Sequence, residues 1–199
     1  MFRAAILTKP KKLEFHNFRI PRKLRDDQVL VKIKYTGICG SQIMEYLGNR
    51  GEDIYLPHAL GHEAVGQVID VGSKVKKVLI KDKVILSWIK GKGLDYGGFQ
   101  LISKNEKKIN FGPISTFSSY AIVSENRVFL KPKEMSDIEA VLYGCAIPTG
   151  AGMVINQLKE IKKNHSVCLI GVGGVGMAAL LALIKKNPQI FVIEKNKKK

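Results

Sequence analysis

The chain has 199 residues, of which 45% are apolar and 25% are charged, so it suffices for one medium globular domain or two small ones. This composition excludes collagen-like and intrinsically disordered proteins. The net charge of +16 makes nucleic acids and anionic membranes candidate partners. However, the lysines are scattered with few interleaved aromatic residues, and the dense run is only Lys195, Lys197, Lys198 and Lys199. We therefore expect a solvated surface and no nucleic-acid partner.

The N-terminus and the cysteines indicate a cytoplasmic protein. Only four apolar residues, Ala4 to Leu7, follow the first charged residue, which is too short for the apolar region of a signal peptide. The three cysteines, Cys39, Cys145 and Cys168, are widely separated, which argues against a disulfide framework. Metal binding or burial in a core are the remaining roles for these thiols.

The first 130 residues are predicted to be rich in β-strand. Residues 28–35 alternate, with Val29, Val31, Ile33 and Tyr35 on one face and lysines on the other, as in a half-buried strand. Further strands are predicted at 64–71, 83–86 and 118–123. Several short strands without intervening helices favour a barrel or a sandwich.

The pattern becomes helical at Ser136, which forms a capping box with Glu139 ahead of Ile138, Val141 and Leu142 at helical spacing. After about residue 149 the pattern alternates between helix and strand. It predicts a helix over 151–159, a strand at 167–170, a glycine turn, a helix over 177–186 and a strand at 189–193. This order is that of one βαβ unit.

The uncharged residues 167–184 reach the length of a membrane span. Four glycines within six positions interrupt them, and each disfavours continuous helix by about 1 kcal/mol relative to alanine. We therefore predict strand, turn and helix here, and no membrane partner.

The glycine turn itself has the pattern G-x-G-x-x-G, formed by Gly171, Val172, Gly173, Gly174, Val175 and Gly176. These glycines permit a tight turn, a close approach of backbone to a pyrophosphate, and close packing of helix on strand. Glu194 ends the next strand, where a carboxylate accepts hydrogen bonds from an adenosine ribose and repels a 2′-phosphate. The pattern favours NAD over NADP as cofactor. The alternative is a plain glycine-rich turn with an ordinary surface glutamate.

A second set of candidates comprises Cys39, His62 with Glu63, and Cys145. Taken singly, each cysteine is more typical of a buried apolar position, and the histidine of a hydrogen-bonded core residue. Two thiolates and one imidazole together have the composition of a catalytic zinc site with an open fourth position.

Seven blocks carry a family resemblance: TGICGSQ, LPHALGHEAVGQVIDVGS, KDKVI, TFSSYAIVSENRV, GCAIPTGAG, LIGVGGVG and FVIEKN. The chain resembles the zinc-dependent alcohol dehydrogenases of the medium-chain dehydrogenase/reductase superfamily over nearly its whole length. The resemblance implies a mixed α/β fold with a GroES-like β-barrel catalytic domain at 1–148. The first βαβ unit of a Rossmann NAD-binding domain follows at 149–199.

The resemblance also implies residue roles. Cys39, His62 and Cys145 become the zinc ligands, and Glu63 a neighbouring carboxylate that reaches the metal in some members. Ser41 becomes the hydroxyl that relays the alcohol proton, and Thr149 a residue beside the nicotinamide, for which the alternative is a helix N-cap. The implied activity is hydride transfer between a zinc-bound alcohol or polyol and NAD by a protein that is a homo-oligomer at full length.

Five departures from the family accompany these expectations. Gln42 replaces an aspartate near the zinc ligands, Gly40 a basic residue and Met44 a histidine. Residues 87–119 lack the four cysteines of a structural zinc, so we expect one zinc ion. The chain stops after the second of about six Rossmann strands, which indicates a C-terminally truncated fragment with little activity alone. The alternatives are a zinc-free reductase of the same superfamily and a non-catalytic remnant with a basic, anion-binding surface.

Overall fold

The computed structural model describes residues 1–104 and 106–197, so Lys198 and Lys199 of the predicted lysine run lie outside the described residues. The chain divides into two compact units, the first spanning Met1–Gly144 and the second beginning at Cys145. The first is rich in β-strand and the second alternates helix with strand. This mixed α/β architecture is the fold class that the sequence predicts.

The first unit contains strands and two short helices. The strands are β1 (Phe2–Lys9), β2 (Lys12–Phe18), β3 (Gln28–Thr36), β4 (His58–Ala59), β5 (Ala64–Val71), β6 (Lys83–Leu86), β7 (Phe99–Ile102), β8 (Lys108–Gly112), β9 (Tyr120–Ser124) and β10 (Val128–Leu130). The helices are α1 (Gly40–Leu47), which follows β3, and α2 (Asp137–Val141), which follows β10.

These strands form one sheet in the order β2-β1-β4-β8-β7 and another in the order β10-β6-β5-β3-β9. The pairs are antiparallel except β4 with β8. An apolar cluster that includes Val29, Val31 and Leu86 covers the second sheet, and one built around Phe18 and Phe111 covers the first. Burial of these side chains supplies the main favourable free energy of folding, at roughly 25 cal/mol per Å² of apolar surface.

The predicted strands are largely confirmed. Strands β5 and β6 have the predicted bounds, β3 extends one residue further, and β9 begins at Tyr120, two residues after the predicted start. The prediction for the inward face of β3 is wrong at its end, because Tyr35 is exposed, and Leu30 is buried although it lies on the opposite face. Strand β1 was not predicted, since Ala4 to Leu7 are buried without alternation, as in a strand covered on both faces.

The predicted capping box is confirmed at α2. The Ser136 hydroxyl accepts a hydrogen bond from the Glu139 N–H, and the Glu139 carboxylate accepts one from the Ser136 N–H. The predicted apolar face is confirmed at Val141, which is buried, and is wrong at Ile138 and Leu142, which are 67% and 50% exposed. The helix has only five residues, and its buried residues are Ala140 and Val141.

The second unit contains α3 (Ala146–Asn156), β11 (Ser166–Ile170), α4 (Gly174–Lys186) and β12 (Gln189–Ile193). Strands β11 and β12 are parallel, which confirms the predicted βαβ unit. Helix α3 begins five residues before the predicted start. Pro148 lies in its first turn, where the missing N–H has no intrahelical partner, so proline is tolerated there.

The apolar run at 167–184 is divided between β11, a turn and α4, as predicted. Among the described residues, no single helix has the length and hydropathy needed to cross a membrane. Only the bent pair Asp137–Gly144 and Ala146–Asn156, taken together, reaches those values.

Candidate functional site

Cys39 lies in the short connection between β3 and α1, where it is the N-cap residue of the helix. The connection is joined to the segment that carries the histidine. The N–H of Gly37 and the hydroxyl of Thr36 both donate to the carbonyl oxygen of Glu63, at 3.1 Å and 2.9 Å. These bonds bring the residue after His62 next to the chain that leads into Cys39.

His62 lies between β4 and β5 after a glycine that no other residue can replace without strain. Gly61 has a φ of +92°, and a Cβ atom there would lie 2.6 Å from the backbone nitrogen of Phe117. Burial lowers the pKa of His62, and the positive charge of Arg50 lowers it further. The imidazole is therefore held neutral, which is the form that binds a metal ion.

The Nε2 atom of His62 is buried and has no hydrogen-bond partner within the described part of the chain. A buried polar atom without a partner costs about 1–3 kcal/mol, so such an atom usually faces a water molecule, a ligand or an ion.

Cys145 follows Gly144 directly and is the N-cap residue of α3. The carbonyl of Gly144 accepts a hydrogen bond of 2.7 Å from the hydroxyl of Ser87, which follows β6. This bond fixes the backbone directly before Cys145.

The sulfur atoms of Cys39 and Cys145 and a ring nitrogen of His62 all lie within 4.8 Å of one another. The structure thus brings the three candidate ligands together. Two sulfur atoms and one imidazole, whose Nε2 atom lacks a partner within the described residues, fit zinc.

Glu63 is buried beside this cluster, in space that two glycines leave open. A Cβ atom on Gly37 would lie 2.7 Å from Glu63 Oε1, and a Cβ atom on Gly144 would lie 2.6 Å from Glu63 Cβ. These glycines lie two residues before Cys39 and one before Cys145. A glycine close to each cysteine in sequence therefore makes room for the carboxylate.

Gln42, the predicted departure from the family pattern, links the segments that carry Cys39 and His62. It is a buried residue of α1 whose Oε1 atom accepts a hydrogen bond from the N–H of Gly61, and whose Nε2 atom donates to Glu45 at 2.9 Å. The amide therefore holds α1 to the segment that carries His62. An aspartate in its place could accept the first bond but could not donate the second.

Two further side chains belong to the surroundings of the cluster. Ser41 is the second residue of α1 and is half-buried, two positions after Cys39. Trp88 was missed by the sequence analysis, and its ring centroid lies 6.1 Å from that of His62. Its sequence signal is the only tryptophan of the chain, two residues beyond the end of β6.

The glycine turn connects β11 to α4. Gly171 has a φ of +85°, Gly173 is the N-cap of α4, and a Cβ atom at either position would point into open space. A Cβ atom on Gly176 would lie 2.0 Å from the carbonyl oxygen of Gly171, so strand and helix are in direct backbone contact there. The open side of this turn at a helix N-terminus fits a pyrophosphate.

Glu194 is held against the turn from the end of β12. Its Oε2 atom accepts a hydrogen bond from the Val172 N–H and its Oε1 atom one from the Asn196 N–H, both at 2.9 Å.

Thr149 lies inside α3, where its hydroxyl donates to the carbonyl of Cys145 at 2.7 Å. The alternative of Thr149 as an N-cap is wrong, because Cys145 occupies that position.

Comparison with known proteins identifies related families. Residues 25–133 match a family model described as "Alcohol dehydrogenase GroES-like domain". The chain is 30% identical to an S-(hydroxymethyl)glutathione dehydrogenase from Escherichia coli over 99% of the chain, and 30% identical to one from Synechocystis sp. over 85%. These relatives are oxidoreductases by name.

Solved structures give the same result. The alcohol dehydrogenase zinc-binding domain protein from Burkholderia ambifaria superposes with a TM-score of 0.82 at 29% identity over 99% of the chain. Benzyl alcohol dehydrogenase from Acinetobacter calcoaceticus superposes with a TM-score of 0.77 at 27% identity, also over 99%. The chain spans 52–60% of the length of these curated relatives and about 60% of these structures.

Proposed function

Because the chain belongs to the alcohol dehydrogenase GroES-like domain family, of the zinc-type medium-chain alcohol dehydrogenases, we propose that it is part of a zinc-dependent oxidoreductase. The proposed reaction is hydride transfer between an alcohol or polyol and NAD. The observation that carries the proposal is that the ligand atoms of Cys39, His62 and Cys145 lie within 4.8 Å of one another, and that among the described residues the buried Nε2 of the histidine has no hydrogen-bond partner.

In this proposal the three side chains hold one zinc ion, which supplies Lewis acidity toward a substrate oxygen. Burial keeps His62 neutral and therefore able to bind the metal at physiological pH. Gln42 orients the histidine segment through the N–H of Gly61. Groups that orient a ligand in this way contribute about 10–100-fold to metal affinity.

Proton movement is assigned to groups on or beside α1. A serine hydroxyl is able to both accept and donate a hydrogen bond, so that of Ser41 can take the alcohol proton and pass it on toward solvent. Glu63 places a carboxylate beside the cysteine ligands, where its negative charge is attracted to a bound cation.

Cofactor binding is assigned to the second unit. NAD supplies the hydride acceptor. The turn from Gly171 through Gly174 and Val175 to Gly176 offers backbone N–H groups and the positive end of α4 to the pyrophosphate. Glu194 accepts hydrogen bonds from the adenosine ribose and repels a 2′-phosphate, which favours NAD over NADP. Thr149 is proposed to lie beside the nicotinamide.

The chain spans about 60% of the length of its curated relative from Escherichia coli, so the proposed activity is that of a longer protein. That the 199-residue chain has little turnover by itself remains a prediction. Its metal content, however, tests the proposed site without turnover.

We expect the purified 199-residue chain to contain about one zinc per molecule by elemental analysis. Cys145→Ser should remove most of this zinc, because a serine hydroxyl is a poor substitute for a thiolate ligand. Cys168→Ser is the matched control, since Cys168 is an exposed free cysteine of β11 outside the cluster. Cobalt added to the metal-free chain should give thiolate-to-metal absorption that Cys145→Ser weakens. Equal zinc content in the two variants, or no zinc in the parent, contradicts the proposal.

A further inference from the structure

A second group of metal-binding side chains lies in the first unit, apart from the cysteine cluster. It consists of Glu45 in α1, Asp53 in the connection that follows α1, and His58 at the start of β4. One ligand atom from each lies within 4.8 Å of the others. The Nε2 atom of His58 is 2.7 Å from Oδ2 of Asp53 and 3.7 Å from Oε1 of Glu45.

The imidazole of His58 is surrounded by oxygen atoms. Its Nδ1 atom is 3.2 Å from the carbonyl oxygen of Ala59, while its Nε2 atom faces the two carboxylates. A neutral imidazole carries a proton on only one nitrogen, so it cannot donate to acceptors on both sides. With Nδ1–H directed at the carbonyl, a positive charge between Nε2 and the carboxylates stabilises the arrangement, and either a second ring proton or a metal cation provides one. Neutral histidine is the form that binds a metal cation.

Each carboxylate directs one oxygen at His58, because its other oxygen accepts a hydrogen bond from a residue that is not part of the cluster. The amide of Gln42 donates to Oε2 of Glu45 at 2.9 Å, which leaves Oε1 facing the imidazole. The N–H of Tyr55 donates to Oδ1 of Asp53 at 3.0 Å, which leaves Oδ2 facing it. Anchoring of the outer oxygen is the arrangement that orients ligands in metal sites.

The distances suit a small divalent cation. Two ligands at right angles on bonds of about 2.1 Å lie about 3 Å apart, and the observed 2.7 Å and 3.7 Å bracket that value. The side chain of His58 is only 10% exposed, whereas those of Glu45 and Asp53 are 23% and 22% exposed. A cation can therefore enter from the carboxylate side, and water molecules can complete its coordination.

We propose that Glu45, Asp53 and His58 form a binding site for a divalent cation of the Mn²⁺ class, separate from the Cys39, His62 and Cys145 cluster. Carboxylates suit Mn²⁺, whereas thiolates select softer ions such as zinc. The cysteine cluster therefore favours zinc more strongly than the second site does, and about one zinc per chain is expected where zinc is not in excess. The proposal rests on these three side chains and not on the proposed enzyme activity.

The test is a titration of the zinc-loaded 199-residue chain with Mn²⁺, followed by the loss of the free-ion signal in electron paramagnetic resonance. We expect one Mn²⁺ per chain. Asp53→Asn and Glu45→Gln should each weaken binding by at least about tenfold, because each removes a charged ligand oxygen and preserves side-chain size. The exposed Glu134→Gln is the matched control and should bind as the parent does. Cys145→Ser should also retain Mn²⁺.

Absence of Mn²⁺ binding, or equal binding by the parent and both cluster variants, overturns the proposal and leaves an ordinary histidine–aspartate pair. Loss of Mn²⁺ in Cys145→Ser also overturns it, since the ion would then occupy the thiolates. Circular dichroism of each variant verifies that it is folded. Zinc content measured in the same samples reports separately on the cysteine cluster.

Discussion

Gly37 determines whether the buried carboxylate of Glu63 fits beside the candidate zinc ligands, and Gly40 offers a matched comparison. Gly37 and Gly40 lie on either side of Cys39, two residues before it and one after, but they have opposite surroundings. A Cβ atom on Gly37 would be 2.7 Å from Glu63 Oε1 and 2.8 Å from its Cδ atom, whereas one on Gly40 would have no atom within 4 Å.

We therefore expect Gly37→Ala to destabilise the first unit by about 1–3 kcal/mol, the usual cost of overpacking a buried site, and to lower its zinc content. Gly40→Ala should leave both unchanged or slightly raise stability, because alanine favours helix over glycine. Urea unfolding and elemental analysis of the two variants test this difference. Equal behaviour of the two would show that Glu63 moves aside without cost.

At the scale of elements, one carboxylate joins several connections of the first unit. Oε1 of Glu125 accepts hydrogen bonds from the N–H groups of Lys76 and Lys77, at 2.6 Å and 2.7 Å, and Oε2 accepts one from Leu94 at 2.9 Å. The hydroxyl of Ser124 accepts a further bond from the N–H of Tyr96. The cysteine-free segment 88–98 is thus held by hydrogen bonds.

Burial acts to raise the pKa of Glu125, but the three backbone N–H groups and the charge of Lys77 outweigh it, so its pKa lies below the ordinary value. A lowered pKa in the folded state stabilises the fold above the ordinary carboxyl pKa. This stabilisation is lost as the pH falls through the lowered pKa.

Glu125→Gln should therefore destabilise the protein by about 1–3 kcal/mol at neutral pH, because an amide NH2 cannot accept the hydrogen bond from a backbone N–H. The difference between parent and variant should shrink in acid, where the parent carboxylate is protonated. Urea unfolding at several pH values measures it, with the exposed Glu134→Gln as the control. A difference that does not change with pH would contradict the role of the ionised carboxylate.

The glycine turn between β11 and α4 offers a second contrast between neighbouring positions. Gly176→Ala would place Cβ 2.0 Å from the carbonyl oxygen of Gly171, so we expect the second unit to lose its helix packing. Gly173→Ala meets no atom within 4 Å, so it should fold normally and weaken NAD binding by filling the open side of the turn. Circular dichroism and NAD titration separate these effects. Unchanged NAD affinity in Gly173→Ala would move the pyrophosphate elsewhere.

For the whole molecule, the net charge of +16 is the basis of the alternative function, a basic surface that binds anions. The dependence of binding on salt concentration tests this alternative. NAD bound at one turn displaces few counterions, so its affinity should change by less than about tenfold between about 50 and 200 mM salt. An RNA oligonucleotide held by many lysines should lose about 10³-fold or more over that range. Fluorescence titration of both ligands measures the two slopes. Tight RNA binding at the higher salt would favour the alternative.

Local signals in the sequence determined much of this protein. The bounds of β5, β6 and β12, the capping box at Ser136 and the glycine turn with its acidic residue could all be predicted. Such features depend on residues only a few positions apart, through alternation, capping hydrogen bonds and backbone dihedral limits. The candidate ligands Cys39, His62 and Cys145 were also predictable from their donor chemistry.

Only the tertiary structure decided how distant residues meet. It brought Cys39, His62 and Cys145 within 4.8 Å of one another, and placed the amide of Gln42 between α1 and the segment that carries His62. It also gathered Glu45, Asp53 and His58, which no spacing in the sequence had singled out. The physical reason is that hydrophobic burial selects which segments pack together, and this selection acts on the whole chain at once. A residue's own neighbours in sequence therefore cannot determine which groups meet across the core.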